Sequence, residues 1–355
     1  MSTQFLYRLP VEQTQWKFEG QTTTAFTWEY EDGGADLLKL YGKGKKQQWD
    51  AAERLDWSLP VDPDNPMGLD DRTIAIYGTP LWNGLSDKDK AHVRRNLQAH
   101  TLSQFMHGEQ GALIATSKIV QTVPGVPAKF YAATQVMDEA RHVEAYARLL
   151  HEKVKLAYPI TKTLALLLES TISDRRWDMT YLGMQVLIEG LALAAFQRIR
   201  DTSSNTLAAG VNAYVMQDEA RHVAFGRLAL RDYYPHLSDA ERDEREEFVV
   251  EACYHMRDRF NQGEVWENLG LPVKECVDAV EKSEYMRLFR TRLFSRIVPT
   301  VKDIGLWGSR VRKAYEQMGV MEFAAVDAQA MLDNDGRVAD EFDAKMFVEK
   351  SLGAR

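Results

Sequence analysis

The most distinctive chemistry-bearing feature of the sequence is a hexapeptide, Asp-Glu-Ala-Arg-His-Val, that occurs twice, at residues 138–143 and 218–223. Each copy contains Glu-x-x-His. On an α-helix, residues i and i+3 lie on one face, so the carboxylate and the imidazole of each copy point toward the same place. Carboxylate oxygen and imidazole nitrogen are common ligands of divalent metal ions. The repeat therefore predicts metal ligands at Glu139, His142, Glu219 and His222.

A further glutamate lies thirty residues before each copy of the motif, at Glu109 and Glu189. Apolar or small residues accompany both glutamates, at 111–114 just after Glu109 and at 187–196 around Glu189. The pattern is thus Glu followed by Glu-x-x-His, twice over, which is the ligand pattern of helix bundles that hold two iron or manganese ions. We predict a dimetal site formed by six side chains.

Charge balance favours the same interpretation. Four carboxylates facing a bundle core cannot all remain ionised without compensating positive charge, and two divalent ions supply it. Oxygen-rich ligands with two imidazoles suit iron, with manganese as the alternative, and zinc prefers fewer ligands. Because a metal-bound imidazole usually donates its second N–H to a carboxylate, we expect Asp138 to orient His222 and Asp218 to orient His142. Arg141 and Arg221 would then pair with these aspartates.

The competing interpretation of the motif is a pair of solvent-exposed, salt-bridged helices. Glu, Arg and His at helical spacing form such surfaces often, and a single Glu-x-x-His would favour that interpretation. The duplication, with matched upstream glutamates in apolar surroundings, favours metal binding.

Helical periodicity dominates the chain after Ser86 and predicts an all-α fold. Residues 1–84, which hold five of the eight tryptophans, are predicted to form an irregular arm that packs aromatic side chains on the main domain, with one helix near 35–55. Residues 85–235 are predicted to form a four-helix bundle, from helices near 86–123, 128–154, 174–201 and 206–233. Residues 236–320 would add packing helices. Residues 321–355 would form a C-terminal tail, with a turn at 333–336 and a candidate helix at 338–352.

Composition narrows the function classes. Net charge is −8, which disfavours nucleic acid or an acidic membrane surface as the main partner. The most apolar stretch, residues 181–196, contains Gln185 and Glu189 and is predicted not to span a membrane. Two cysteines provide no disulfide framework, and no secretion signal is evident, so a cytoplasmic location is expected.

The motif set resembles that of the ferritin-like diiron-carboxylate superfamily over residues 85–235. The doubled Asp-Glu-x-Arg-His form is especially similar to the hydroxylase subunits of bacterial multicomponent monooxygenases, and it also resembles acyl-carrier-protein desaturases, diiron N-oxygenases and ribonucleotide reductase small subunits. The resemblance implies two iron ions that activate O2 to hydroxylate, epoxidise, N-oxygenate or desaturate a small organic substrate. It also implies an external electron donor, a reductase or ferredoxin, because the sequence shows no flavin, nicotinamide or iron–sulfur motif, and it implies a homodimer.

Two positions depart from these families. Many monooxygenase hydroxylases carry a threonine four residues after the third carboxylate, where this chain has Leu193. Related N-oxygenases carry a third histidine four residues before the last glutamate ligand, where this chain has Val215. No seventh ligand is therefore assigned.

Helix spacing also indicates residues around the site. Tyr146 lies four residues after His142, where the resemblance to ribonucleotide reductase small subunits implies a redox-active tyrosine, although an ordinary core tyrosine is the alternative. Residues one turn from the ligands are predicted to line a substrate pocket, with simple core packing as the alternative. They are Phe105, Ala112, Leu113, Gln185, Ala192, Leu193 and Phe196.

Three functions therefore compete at this point. The first is an O2-activating diiron oxygenase or oxidase. The second is a radical-generating subunit like that of ribonucleotide reductase, which Tyr146 favours and the lack of any tyrosine after Tyr315 disfavours. The third is ferritin-like iron oxidation and storage, which the length of the chain disfavours.

Overall fold

The computed structural model describes residues 14–27 and 34–353. Within these residues the protein is all-α and contains no strand, as the sequence predicts. The helices are α1 Ala35–Lys46, α2 Ala51–Arg54, α3 Pro80–Gly84, α4 Asp87–Thr122, α5 Val126–Arg148, α6 Lys162–Ser173, α7 Trp177–Tyr181, α8 Glu189–Thr202, α9 Thr206–Tyr233, α10 Asp239–Asp258, α11 Gly263–Asn268, α12 Val273–Lys282, α13 Glu284–Leu293, α14 Ile297–Asp303, α15 Ser309–Met318 and α16 Ala328–Gly353.

The centre of the molecule is a ferritin-like four-helix bundle. Helix α4 packs against α5, α5 packs against α9, and α9 packs against α8. Helices α7 and α8 form one continuous helical stretch whose first part also contacts α4, which closes the ring. Two short connections make α4 antiparallel to α5 and α8 antiparallel to α9, as expected for neighbours in a bundle.

Local sequence sets where the bundle helices begin and end. The Ser86 hydroxyl accepts a hydrogen bond from Asp89 N (3.2 Å) and starts α4. Pro124 separates α4 from α5, because proline cannot continue a helix, and Pro127 is tolerated in the first turn of α5. At α9, Asn205 Oδ1 accepts a hydrogen bond from Ala208 N at 2.9 Å.

Two π-helical segments interrupt the bundle helices. One covers Leu182–Ile188, between α7 and α8, and the other covers Leu149–Val154, directly after α5. A π-turn holds one residue more than an α-turn, so it changes which side chains face the core before and after it. Such segments occur often at functional sites. The first one ends immediately before Glu189.

The helical stretch Trp177–Thr202 is long and apolar enough to cross a membrane by length and composition. Of its most apolar window, 89% is buried inside the protein. Core packing within the bundle therefore accounts for its apolar character.

The N-terminal arm is more helical than predicted. The predicted helix near 35–55 is divided into α1 and α2, and α1 lies across α5 and α9. Trp57 and Trp82 are buried, Trp16 is 40% exposed, and Trp28 lies outside the described residues. The predicted turn at 333–336 is wrong, because these residues form part of α16, which packs on α9 and α14.

Candidate dimetal centre

Six candidate ligands converge in the middle of the bundle. Their ligand atoms form two overlapping groups, within each of which the atoms lie within 4.8 Å of one another. Glu139 and Glu219 belong to both groups. We call the first group position A and the second position B. Position A is formed by Glu109, Glu139, His142 and Glu219, and position B by Glu139, Glu189, Glu219 and His222.

Each bundle helix contributes to the cluster. Helix α4 provides Glu109, α5 provides one Glu-x-x-His pair, α9 provides the other, and Glu189 is the first residue of α8. All six side chains are buried, with residue exposures of 5% or less. The salt-bridged surface helices that the sequence left open as an alternative are therefore not what these motifs form.

The imidazoles lie between carboxylates. His142 Nδ1 lies 3.1 Å from Glu109 Oε2 and 3.1 Å from Glu219 Oε1. His222 Nδ1 lies 3.1 Å from Glu139 Oε1 and 3.4 Å from Glu219 Oε1. One nitrogen of each ring thus faces the carboxylate cluster.

The other nitrogen of each ring faces an aspartate from the opposite half of the repeat. His142 Nε2 lies 3.0 Å from Asp218 Oδ2, and His222 Nε2 lies 3.2 Å from Asp138 Oδ2. The structure therefore has the crossed arrangement that the motif predicts. Such a contact fixes the ring orientation and the tautomer of a histidine ligand.

Two buried arginines compensate the charge of these aspartates. Arg141 donates to Asp218 Oδ2 at 3.0 Å and to Asp138, while Arg221 donates to Asp218 and, at 3.4 Å, to Asp138 Oδ2. Two cations and two anions thus form one buried network directly behind the histidines.

The N-terminal arm reaches this network, which the sequence does not reveal. Gln47 accepts a hydrogen bond from Arg221 (3.0 Å), and Gln48 accepts one from Arg141 (2.8 Å). Gln48 also donates to Asp138 Oδ1 at 2.6 Å, and the Trp49 indole N–H donates to Asp218 Oδ2 at 2.8 Å. These contacts join residues 90 or more positions apart, so no local pattern could have predicted them.

Burial and mutual charge shift the pKa values in the cluster. Burial raises the pKa of Glu109 and of Glu189 well above the usual range, and repulsion from Glu219 adds to both shifts. Burial opposes ionisation of Glu139 as well, but attraction to His222 and hydrogen bonds with both histidines outweigh it and lower the pKa of that carboxyl. Burial would lower the pKa of both histidines, yet the surrounding carboxylates raise it well above its normal value.

The cluster meets the requirements of a two-metal cofactor. Among the described residues, Glu189 Oε2 and Glu219 Oε2 have no hydrogen-bond partner, and Glu139 Oε2 and Glu219 Oε1 meet only imidazole nitrogens. Unpaired buried carboxylate oxygens are costly unless they coordinate a cation. The donor set of four carboxylates and two imidazoles matches what iron or manganese takes.

Gln135 is a second feature that the sequence did not reveal. It lies one turn before Glu139 and is fully buried. Its Nε2 donates to Glu139 Oε1 at 3.0 Å and to Glu189 Oε1 at 2.8 Å. A glutamine four residues before a motif glutamate, in a helix core, is the signal that could have indicated it.

A small, mainly apolar cavity of about 30 Å³ meets the cluster on the side of Glu109, Glu189 and Glu219. Four predicted pocket residues line it, namely Phe105, Ala112, Ala192 and Phe196. A second cavity of about 100 Å³ shares Phe105 and Leu191 with it. We call them the inner and outer cavities.

Leu113, Gln185 and Leu193 do not line the inner cavity, although the sequence predicts them as pocket residues. The π-segment explains why Gln185 does not line the cavity. In a π-turn the residue one turn before Glu189 is five positions back, at Met184, and not four positions back, at Gln185, so Met184 lines the cavity instead. Along α4 and α8 the lining residues lie three positions after the glutamates rather than four.

Tyr146 is fully buried beside the cluster. Its hydroxyl donates to Asn212 Oδ1 at 3.1 Å, and its ring packs near Phe105 and Phe196. Burial raises the pKa of Tyr146, and repulsion from Glu109 and Glu219 raises it further.

The fold and the buried cluster define a ferritin-like protein with a two-metal carboxylate centre. The family model described as p-aminobenzoate N-oxygenase AurF matches residues 34–305, so the chain belongs to this family and is an oxidoreductase. Iron is the expected metal, with manganese as the alternative.

Among solved structures, one variant of an R2-like ligand-binding oxidase with an aerobically reconstituted Mn/Fe cofactor is 16% identical, at a TM-score of 0.48. Another variant, with an anaerobically reconstituted Mn/Fe cofactor, is also 16% identical, at a TM-score of 0.47. Each match covers 78% of this chain and 96% of the other. No curated protein matches the chain.

Proposed function

We propose that this protein is an O2-dependent, metal-containing oxygenase that oxidises a small and mainly apolar organic molecule. The observation that carries this proposal is the inner cavity, whose apolar wall ends on three candidate ligands. A storage protein does not need an apolar chamber at its metal site, whereas an oxygenase needs a dry space in which a substrate lies next to the metals.

In this proposal, the six side chains at positions A and B hold the two ions. Redox-active ions held there would supply the electrons that reduce O2. Asp138 and Asp218 fix the orientation of the two imidazoles through the imidazole Nε2 atoms, and Arg141 and Arg221 form ion pairs with these aspartates. The phenyl rings of Phe105 and Phe196, whose centroids are 4.7 Å apart, keep water away from the cavity side of the cluster.

The family name makes N-oxygenation of an arylamine the first reaction to test. A cavity of about 30 Å³ holds little more than one water molecule, so an aromatic ring needs the outer cavity as well. We propose that the substrate enters through the outer cavity and that Phe105 and Leu191 move to admit it. Val215 stands where related N-oxygenases carry a third histidine, so hydroxylation, epoxidation and desaturation belong in the same test.

We also propose the surroundings in which this chemistry occurs. Electrons would come from a separate reductase or ferredoxin, and the protein would act as a cytoplasmic homodimer, without nucleic acid or membrane partners. Cys253 and Cys276 are both buried and unpaired, as suits a reducing compartment.

The test is reconstitution of the protein with Fe(II), followed by addition of 18O-labelled O2 and a panel of arylamines and uncharged aromatic compounds. We expect O2 uptake and an oxidised product, which carries 18O after N-oxygenation, hydroxylation or epoxidation and carries none after desaturation. Glu139→Gln should abolish product formation, while Glu144→Gln, which changes an exposed glutamate on the same helix, should not. A protein that holds two irons and yet takes up no O2 with any compound would disprove the proposal.

A further inference from the structure

We propose that Gln135 makes the two metal positions unequal by bracing position B, so that this position binds its cation first and more tightly. This inference rests on the proposed function only in that it takes the cluster to be a two-metal site. It concerns which residues distinguish the two ions, and it predicts binding behaviour that does not depend on a substrate.

The amide of Gln135 joins two candidate ligands. In the metal-loaded site both glutamates are ionised, and ionised carboxylate oxygens accept hydrogen bonds and cannot donate them, so the NH2 group is the end that faces Glu139 and Glu189. Its two protons go to one oxygen of each carboxylate, at 3.0 and 2.8 Å. The other oxygen of each, Oε2, accepts no hydrogen bond from the described residues and remains available to a cation.

The other half of the repeat lacks this brace. Each position in the first half has a counterpart eighty residues later, and the counterpart of Gln135 is Val215, which is fully buried and has no polar side-chain atom. Among the residues described, Glu219 Oε1 meets only ring nitrogens, His142 Nδ1 at 3.1 Å and His222 Nδ1 at 3.4 Å, and no amide donates to either oxygen of Glu219. Glu109 contacts His142 at 3.1 Å, and among the residues described no glutamine amide donates a hydrogen bond to Glu109 as Gln135 does to Glu189.

Unequal restraint has a direct consequence for binding. A carboxylate that is already held by one oxygen loses less freedom when its other oxygen binds a cation, and hydrogen-bond partners of metal ligands typically change affinity by roughly 10- to 100-fold. Position B has two braced carboxylates, Glu139 and Glu189, whereas position A has only Glu139. Glu109 and Glu219 are the less restrained pair, and both line the inner cavity. They are therefore the carboxylates that can shift when a substrate or O2 enters.

The test is an anaerobic titration of the metal-free protein with Mn(II), with free Mn(II) followed by electron paramagnetic resonance. For the unmodified protein we expect two binding steps that differ by about 10-fold or more. Gln135→Leu should weaken the tighter step by roughly 10- to 100-fold and leave the weaker step within a few-fold. Gln98→Leu is the matched control, because it removes another buried glutamine, one whose hydrogen bonds go to Met67 N and Asn65 and not to the six ligands, and it should change neither step.

A second variant tests whether an added amide strengthens metal binding at the weaker position. Val215→Gln places an amide at the equivalent position of the other half, so we expect it to tighten the weaker step and reduce the difference. This variant also answers the question if Gln135→Leu does not fold. Two equal steps in the unmodified protein, or equal weakening of both steps by Gln135→Leu, would overturn the inference and leave the proposed function standing. An unmodified protein that binds no Mn(II) and no Fe(II) would overturn both.

Discussion

At the scale of single residues, the cluster shows how a bundle core can hold eight ionisable carboxylate and imidazole groups. The two aspartates are neutralised by two arginines, so they cost the fold little net charge and still accept hydrogen bonds from the histidines. The four glutamates have no such arginine partners among the described residues, and their excess negative charge is what a pair of divalent ions would balance.

Removal of one orienting aspartate tests this division of roles. In Asp218→Asn, His142 loses an ionised acceptor, so we expect affinity for Mn(II) or Fe(II) to fall roughly 10- to 100-fold. Equilibrium metal binding measures this. Asp178→Asn is the matched control, because Asp178 forms a buried pair with Arg245 (3.0 Å) away from the two histidines. If both variants lose the same affinity, the effect is one of general stability and not of histidine orientation.

Tyr146 is the residue on which the radical-generating alternative depends. A phenol that is oxidised must release its proton, and the acceptor here is the amide oxygen of Asn212, which is a very weak base. We therefore expect no stable organic radical after exposure of the Fe(II) protein to O2. We expect Tyr146→Phe to keep its metal content and to lose about 1 kcal/mol of stability, because Asn212 loses a donor. A sharp radical signal in the unmodified protein that vanishes in Tyr146→Phe would favour the alternative.

At the scale of helices, the π-segment before Glu189 positions that carboxylate and depends on close contact with α9. A Cβ on Gly226 would lie 2.5 Å from Cβ of Gln185, which belongs to the π-segment. Gly226 lies one turn after His222 on the same helix. Because Gly226 has no side chain, α9 can pack closely against the segment before α8, and Glu189 and His222 therefore lie near each other.

This contact leads to a prediction. Gly226→Ala should destabilise the protein by about 1–3 kcal/mol through overpacking, and it should weaken metal binding because the π-segment must move. Chemical denaturation and metal titration measure the two effects. Gly42→Ala, at a helical glycine of α1 where a new Cβ meets nothing within 4 Å, should be neutral or stabilising by up to about 1 kcal/mol. A stable Gly226→Ala with unchanged affinity would contradict the proposed role of this contact.

The helix scale also explains how far the sequence predicts the site. The glutamate and histidine of each motif are found from the sequence because helical spacing relates them, and the upstream glutamates are found because both halves of the repeat carry one at the same offset. Gln185 was misplaced, because an α-helical period was applied where the chain forms a π-turn. Leu113 and Leu193 were misplaced, because the cavity lies three residues after each glutamate, at Ala112 and Ala192, and not four. Trp49 and Gln48 were missed, because they reach the aspartates through tertiary contacts that follow no sequence period.

At the scale of the whole molecule, the described arm and the C-terminal helices enclose the bundle. Trp49 and the two glutamines before it cover the outer side of the aspartate–arginine network. The outer cavity is lined by Tyr285 and Phe289 of α13 and by Phe260, which lies between α10 and α11. The centre is thus closed by the arm on its histidine side and approached through apolar residues on its glutamate side. We expect substrate to arrive from the second direction.

Metal loading should stabilise this whole assembly, and the gain should grow with pH. In the metal-free protein, four cluster residues have raised pKa values and therefore favour bound protons, namely His142, His222, Glu109 and Glu189. The protonated histidines form ion pairs that stabilise the metal-free protein, and this stabilisation is lost as pH rises through the folded-state pKa values of the two histidines. A cation requires these groups deprotonated, so binding expels protons and tightens as pH rises.

Calorimetric unfolding at pH 6 and pH 8, with Mn(II) or with a chelator, measures this gain. We expect a higher Tm with Mn(II) at both pH values and a larger difference at pH 8. Free metal at a hundred times its Kd corresponds to about 2.7 kcal/mol of stabilisation for one site. Glu139→Gln removes a carboxylate common to both positions and should lose most of the shift. A shift that is equal at the two pH values, or that persists in this variant, would mean that Mn(II) stabilises the protein at some place other than the six-residue cluster.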